Sequence, residues 1–219
     1  MTELEVFVLA APGRDEAHAR SFVSLRASDI GENFKVCVHP QGITKEEHWR
    51  ATHELASKAE TELVLVLEDD VLVNRHIVHN ATTWRWPFDR GFGAGWLYNP
   101  GGYAQRDTWY GSTWEWFGTC AVLYRTERLP ALIDKAWQRM LDRQIPWDCA
   151  MAWAAHAHGG RKIRVHFPSL AEHLVDLPST MEHRPSPMRT SRGSFSEDYR
   201  RPDRHPHGIV DEFGRRVVP

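Results

Sequence analysis

The sequence predicts an α/β domain with a mainly parallel central sheet flanked by helices. Three observations carry this prediction. Short apolar runs alternate along the chain with segments of helical periodicity, the pattern of a sheet wrapped by helices. One run, Leu63–Leu67 (LVLVL), is apolar on both faces, as a covered central strand must be. It leads straight into Glu68-Asp69-Asp70. In open α/β sheets ligands bind beyond the carboxyl ends of the strands, so these acids fall at the functional edge.

The elements follow in order. Glu3–Ala10 reads as a first strand, buried on both faces, and Ala11-Pro12-Gly13-Arg14 as the loop at its carboxyl end. Asp15–Leu25 is predicted helical with Ala17, Phe22, Val23 and Leu25 inward. Phe34–Val38 is a second strand, stopped by His39-Pro40-Gln41-Gly42. Thr44 and Glu47 make a capping box, and Trp49, Thr52, Leu55, Ala56 and Ala59 recur behind it at helical spacing. After the central run, Arg75–Trp84 reads as helix, residues 91–102 as a glycine-rich stretch, and Thr113–Tyr124 as one or two strands. Leu129, Leu132, Ile133, Ala136 and Met140 mark an amphipathic helix. Asp148–His158 is a short alanine-rich helix closed by Gly159-Gly160, and Lys162–Phe167 a strand with Ile163, Val165 and Phe167 on one face. From about Asp176 Pro, Ser, Arg and His dominate and periodicity is lost. Residues 1–180 are therefore predicted as the domain and 181–219 as an Arg- and Pro-rich tail or active-site lid.

Composition narrows the function. The 219 residues are 42% apolar and 26% charged, which is globular. With 27 Lys and Arg against 29 Asp and Glu, the net charge of −2 argues against nucleic-acid binding by bulk charge. No apolar run approaches the roughly 18 to 20 residues of a membrane span, and the first residues lack the pattern of a signal peptide. Three cysteines at wide spacing make neither a disulfide framework nor a zinc pattern. A reduced, cytoplasmic protein is expected. Ten Trp are available either for core packing or for stacking on sugars or bases.

The acidic triplet carries the chemistry. Three carboxylates at the end of a buried strand repel one another and resist desolvation, and a hard divalent cation compensates them best. No G-x-x-x-x-G-K-[ST] stands in the chain, which disfavours a P-loop ATPase. No G-x-G-x-x-G supports a dinucleotide-binding fold, and His156 and His158 are wrongly spaced for an H-E-x-x-H zinc site.

The run Val64-Leu65-Val66-Leu67-Glu68-Asp69-Asp70-Val71 resembles the metal-binding acidic motif of GT-A fold glycosyltransferases, in the "LEDD" form of family 25 enzymes and related small bacterial and phage transferases. Phe117–Arg125 is similar to the strand that precedes a helix in that group. Pro146-Trp147-Asp148 stands where those enzymes carry an acid facing the acceptor, and Pro168–His173 is similar to their segment with a late metal-binding histidine. The resemblance spans roughly residues 3–180. It implies a nucleotide-diphosphate sugar donor, UDP-linked in expectation, a glycan or other hydroxyl acceptor, and Mn²⁺ or Mg²⁺. Asp70, Glu68 and His173 would hold the metal, the imidazole favouring Mn²⁺. Glu68 and Asp69 would also meet the donor, as would Ala11, Pro12 and Arg14 in the first loop. Asp148 would be the general base, with Glu115 in reserve. Arg184, Arg189 and Arg192 would fold over the diphosphate. Two alternatives stay open: a transferase acting on a hydroxymethylated base in DNA, with the tail arginines on phosphates, and a non-catalytic nucleotide-sugar or glycan binding module.

Overall fold

The structure is a computed structural model that describes residues 4–84, 93–99, 109–110, 118–158, 163–177, 191, 194–201, 209–210 and 216–217. Strand β1 (Leu4–Ala10) is followed by α1 (Asp15–Ala27), β2 (Phe34–Val38), α2 (Lys45–Ala56) and β3 (Leu63–Glu68). Next come β4 (Val71–Val73), α3 (Ile77–Thr83), β5 (Ala94–Trp96), β6 (Trp109–Tyr110) and β7 (Ala121–Arg125). A 3₁₀ turn (Thr126–Arg128) leads into α4 (Leu129–Arg143) and α5 (Trp147–His158). The short strands β8 (Ile163–Arg164), β9 (Ala171–His173), β10 (Ile209–Val210) and β11 (Arg216–Val217) complete the order.

The main sheet runs β2-β1-β3-β7-β5. β1 pairs in parallel with β2 and β3, whereas β7 is antiparallel to both β3 and β5. β7 alone is reversed, so the sheet is mainly parallel, as the sequence predicts. The strand alternation divides the core. Val64 and Val66 face a layer made by Trp49 of α2, Leu132 and Ile133 of α4, and Met151 of α5. Leu63, Leu65 and Leu67 face the other way, onto Leu25 of α1 and Ile77 of α3. Each such side chain contributes roughly 1.5–3 kcal/mol by leaving water, which is why a two-faced apolar run is held at the centre.

Two helices turn differently from the hydrophobic pattern. Val23 in α1 is 66% exposed and Leu55 in α2 is 49% exposed. Polar residues take the inward positions instead. The Ser21 hydroxyl accepts from Val71 N at 2.9 Å. His53 lies buried with Nδ1 donating to Trp49 O at 2.7 Å and Nε2 3.3 Å from the Tyr124 hydroxyl. These groups satisfy buried polar partners, which apolar periodicity does not register. The α2 capping box forms as predicted: Thr44 Oγ1 accepts from Glu47 N, and the Glu47 carboxylate accepts from Thr44 N. The strand expected over 162–167 is a two-residue strand plus a single bridge from Val165 to Trp96.

Part of the C-terminal region packs on the domain. Asn74 Nδ2 donates to the carbonyls of Ser196, Glu197 and Tyr199, and Asn80 Nδ2 donates to Tyr199 O. Cys37, Cys120 and Cys149 form no disulfide. Among the described residues, no helix is long and apolar enough to cross a membrane.

Candidate functional site

The site is built at the carboxyl end of β3. The chain leaves that strand at Glu68, turns through Asp69 and Asp70, and returns as β4. β4 pairs antiparallel with β9, with Val71 opposite His173. Leu174 N then donates to Asp70 O at 2.8 Å. This small ribbon delivers a histidine more than 100 residues away to the acidic turn. His173 Nε2 lies 3.4 Å from Asp70 Oδ2 and 3.9 Å from Glu68 Oε2. Glu68, Asp70 and His173 each offer a ligand atom, all within 4.8 Å of one another.

Burial sharpens the geometry. Asp70 Oδ1 is buried and accepts no hydrogen bond among the described residues. Glu68 Oε1 accepts from the Thr119 hydroxyl at 3.0 Å. Burial, then repulsion from Asp70, pushes the Glu68 carboxyl up to about 7. Thr119 is placed by Gly118, whose φ of +139° belongs to glycine, and where a Cβ would lie 2.9 Å from Tyr98 Cε1.

Asp69 faces the other way. Its Oδ2 accepts from Ala11 N at 2.7 Å and meets His18 Nε2 at 2.7 Å, while its Oδ1 accepts from Arg14 at 2.6 Å. The second arm of Arg14 donates to Asp70 Oδ2, also at 2.6 Å. Burial works against the charged guanidinium, yet Asp70 and Asp69 together hold its pKa above the ordinary value. Gly13, at φ +73°, makes the turn that brings Arg14 back over the acids.

A cleft of about 270 Å³ opens beside this bracket. Leu9, Ala11, Pro12 and Arg14 form one wall, His39, Lys45, His48 and Trp49 another, and Glu68 and Asp69 the acidic end. Asp148, the second residue of α5, accepts from Cys149 N through Oδ1 at 2.8 Å. Burial raises its pKa, the charge of Lys45 opposes that rise, and Asp148 in turn raises Glu68.

The structure thus brings together Ala11, Pro12, Arg14, Glu68 and Asp69 on the cleft, and joins Asp70 and His173 to Glu68 in one cluster, while Asp148 is linked to Glu68 by charge alone. Arg14 was expected to reach a phosphate or base and is engaged by Asp69 and Asp70. Asp69 was expected to meet metal or donor and has both oxygens held by protein groups. Glu115, Arg184, Arg189 and Arg192 lie outside the described residues, as do Gly101-Gly102-Tyr103, Trp114 and Trp116. Sequence reasoning missed the second wall. His39 read only as a turn residue, and Lys45 and His48 only as parts of a capped helix. The available signal was position: all lie at or just beyond the carboxyl end of β2 or in the first turn of the next helix, the edge where ligands bind.

No protein-family model matches the sequence, and no curated protein matches it. Solved structures similar to the chain include the galactosyltransferase LgtC in complex with donor and acceptor sugar analogs. That likeness has 15% identity and a TM-score of 0.45, over 74% of this chain and 72% of that one. The apo-form glycosyltransferase GlyE of Streptococcus pneumoniae TIGR4 is similar at 11% identity and a TM-score of 0.48, over 74% of this chain and 45% of that one. S. aureus TarS is similar at 16% identity and a TM-score of 0.43, over 74% of this chain and 35% of that one. The chain thus spans less than half the length of GlyE and TarS. Likenesses this distant assign no activity, and a shared fold would not assign one either.

Proposed function

We propose that this protein is a metal-dependent glycosyltransferase of the GT-A type, moving a sugar from a nucleotide-diphosphate donor, UDP-linked in expectation, to an acceptor hydroxyl on a glycan or similar molecule. One observation carries the reading. Glu68, Asp70 and His173 converge at the end of the central strand, beside a cleft, with Asp70 Oδ1 buried and accepting no hydrogen bond among the described residues. An unsatisfied buried carboxylate oxygen costs roughly 1–3 kcal/mol or more, and a hard cation is the ligand that removes that cost.

The residues fit such an ion. Two carboxylates and one neutral imidazole form a mixed oxygen and nitrogen donor set that suits Mn²⁺ and accepts Mg²⁺. Glu68, Asp70 and His173 would hold a divalent ion there, which would supply Lewis-acid stabilisation of negative charge on a leaving diphosphate. The remaining tasks fall to protein groups. Arg14, locked by Asp69 and Asp70, stiffens the loop that walls the cleft. Thr119 orients Glu68. Asp148 is the general base: burial has lifted its proton affinity, which suits a carboxylate that must take the acceptor proton during attack at the anomeric carbon.

The test is donor binding and slow hydrolysis across a panel of nucleotide sugars, with Mn²⁺ and with EDTA. Metal-dependent binding or hydrolysis of one donor is expected. Silence across the panel, with no metal bound, overturns the reading and leaves Glu68-Asp69-Asp70 as a turn.

A further inference from the structure

We propose that Lys45 is the cleft residue that receives the diphosphate of the donor. This rests on the glycosyltransferase reading and adds to it the seat of the phosphate charge. The argument starts from Arg14, the residue that sequence alone would choose. Both of its arms are engaged, at 2.6 Å to Asp69 and 2.6 Å to Asp70. Moving it to a phosphate would strip Asp69 and Asp70 of their counter-charge, and Asp69 is almost fully buried. Breaking a buried pair in this way typically costs several kcal/mol, so Arg14 remains where it is.

The second basic wall offers three groups: His39, Lys45 and His48. His48 is buried, which lowers its pKa, and its Nε2 donates to Cys37 O at 3.0 Å. His39 packs tilted against His48, with ring centroids 4.8 Å apart. Lys45 brings an ammonium group to the wall. It is the first residue of α2, fixed by the capping box around Thr44, which also occupies the Glu47 carboxylate. Its Nζ lies 4.9 Å from the centroid of the Trp49 ring one turn on, so the side chain runs along the cleft wall. Lys45 and Glu68 line the same cleft, and the Lys45 charge acts on both Glu68 and Asp148.

A diphosphate entering this cleft meets Glu68 and Asp69 at the acidic end and needs a cation opposite them. An ammonium on a flexible stem is a point charge that can follow phosphate oxygens as the leaving group separates. Lys45 is set against the indole rather than loose in solvent, so less side-chain freedom is lost when the phosphate arrives.

The experiment measures binding of UDP, GDP and CDP, and of uridine, guanosine and cytidine, to the full chain with Mn²⁺. Wild type, Lys45→Met and Lys45→Arg are compared, and the melting temperature of each is taken. The methionine variant keeps the stem that covers Trp49 and removes only the charge. The expected result is a loss of about tenfold or more in affinity for the bound nucleoside diphosphate, with nucleoside affinity unchanged. Lys45→Arg should recover most of the loss, and the salt dependence of binding should become shallower in Lys45→Met. Unchanged diphosphate affinity in Lys45→Met overturns the proposal while the glycosyltransferase reading stands. Equal loss for nucleoside and nucleoside diphosphate also overturns it and makes Lys45 part of the base pocket. If wild type binds none of the three diphosphates, the functional reading fails and takes this proposal with it.

Discussion

Asp69 and Asp70 are neighbours in sequence and opposites in environment. Asp69 turns toward the β1–α1 loop, where Ala11 N, Arg14 and His18 between them occupy both oxygens. Asp70 turns toward the β4–β9 ribbon, where it meets His173 and leaves Oδ1 buried without a hydrogen bond among the described residues. A carboxylate whose two oxygens are both engaged by its own protein is a building element. One left underfilled in a buried place is a binding element. On the proposed reading, the same residue type, one position apart, takes two tasks set by its partners.

The largest expected effect follows from the underfilled side. Asp70→Ala should abolish Mn²⁺ binding and metal-dependent turnover, measured by metal titration and donor hydrolysis, and full activity in this variant would sink the assignment. Next comes Asp148→Asn. It keeps the Oδ1 acceptor for Cys149 N and removes the base, so transfer should fall by roughly 10²–10⁴-fold, with donor affinity within a factor of about two. If donor binding is lost instead, Asp148 belongs to the donor site. The third prediction tests the other half of the comparison. Asp69→Ala leaves Arg14 and Ala11 N without their shared acceptor and should cost about 3–5 kcal/mol of stability. The readout is the denaturation midpoint of the metal-free protein. Asp70→Ala in that assay should cost less, because it removes one Arg14 contact together with the unsatisfied Oδ1, whereas Asp69→Ala removes the contacts to Ala11 N, Arg14 and His18 at once. Equal losses would show that the two acids do not divide the work.

Sequence made one half of this division visible and hid the other. LVLVL followed by three acids is legible because a two-faced apolar strand has few alternatives, and charge at its end has few resting places. The Thr44–Glu47 capping box and the helical recurrence of Trp49, Thr52 and Ala56 behind it are equally legible, since capping and helical spacing are local. The β4–β9 pairing is not. Three-residue strands carry no periodicity, and their partnership depends on a contact across about a hundred residues. His173 therefore came from the family resemblance, and its position beside Asp70 from the fold. The role of Asp69 was likewise hidden, because Ala11 N and His18 reach it only when β1 lies beside β3. Val23 and Leu55 misled for a related reason: Ser21, His48 and His53 turned inward to meet polar partners, and the apolar residues beside them rotated out.

The smallest effect concerns His53, which belongs with Asp69 among the building elements. Its Nδ1 is bonded to Trp49 O, and its ring packs against Tyr124 and Trp147. Burial lowers its pKa from 6.5 to about 4. The unfolded chain therefore binds a proton that the folded chain refuses between those two values. Its contribution to stability is complete above pH 6.5, shrinks as pH falls, and is gone by about pH 4, amounting to at most about 3 kcal/mol. Urea denaturation at pH 7.5, 6, 5 and 4 on wild type and His53→Gln should show this directly. The variant starts less stable, having lost the ring contacts, but declines less steeply with acid because nothing at that position titrates. Its Mn²⁺ affinity at pH 7.5 should match wild type, since His53 touches neither Glu68, Asp70 nor His173. Parallel pH slopes would remove His53 as the source, and altered metal affinity would place it among the binding elements with Asp70.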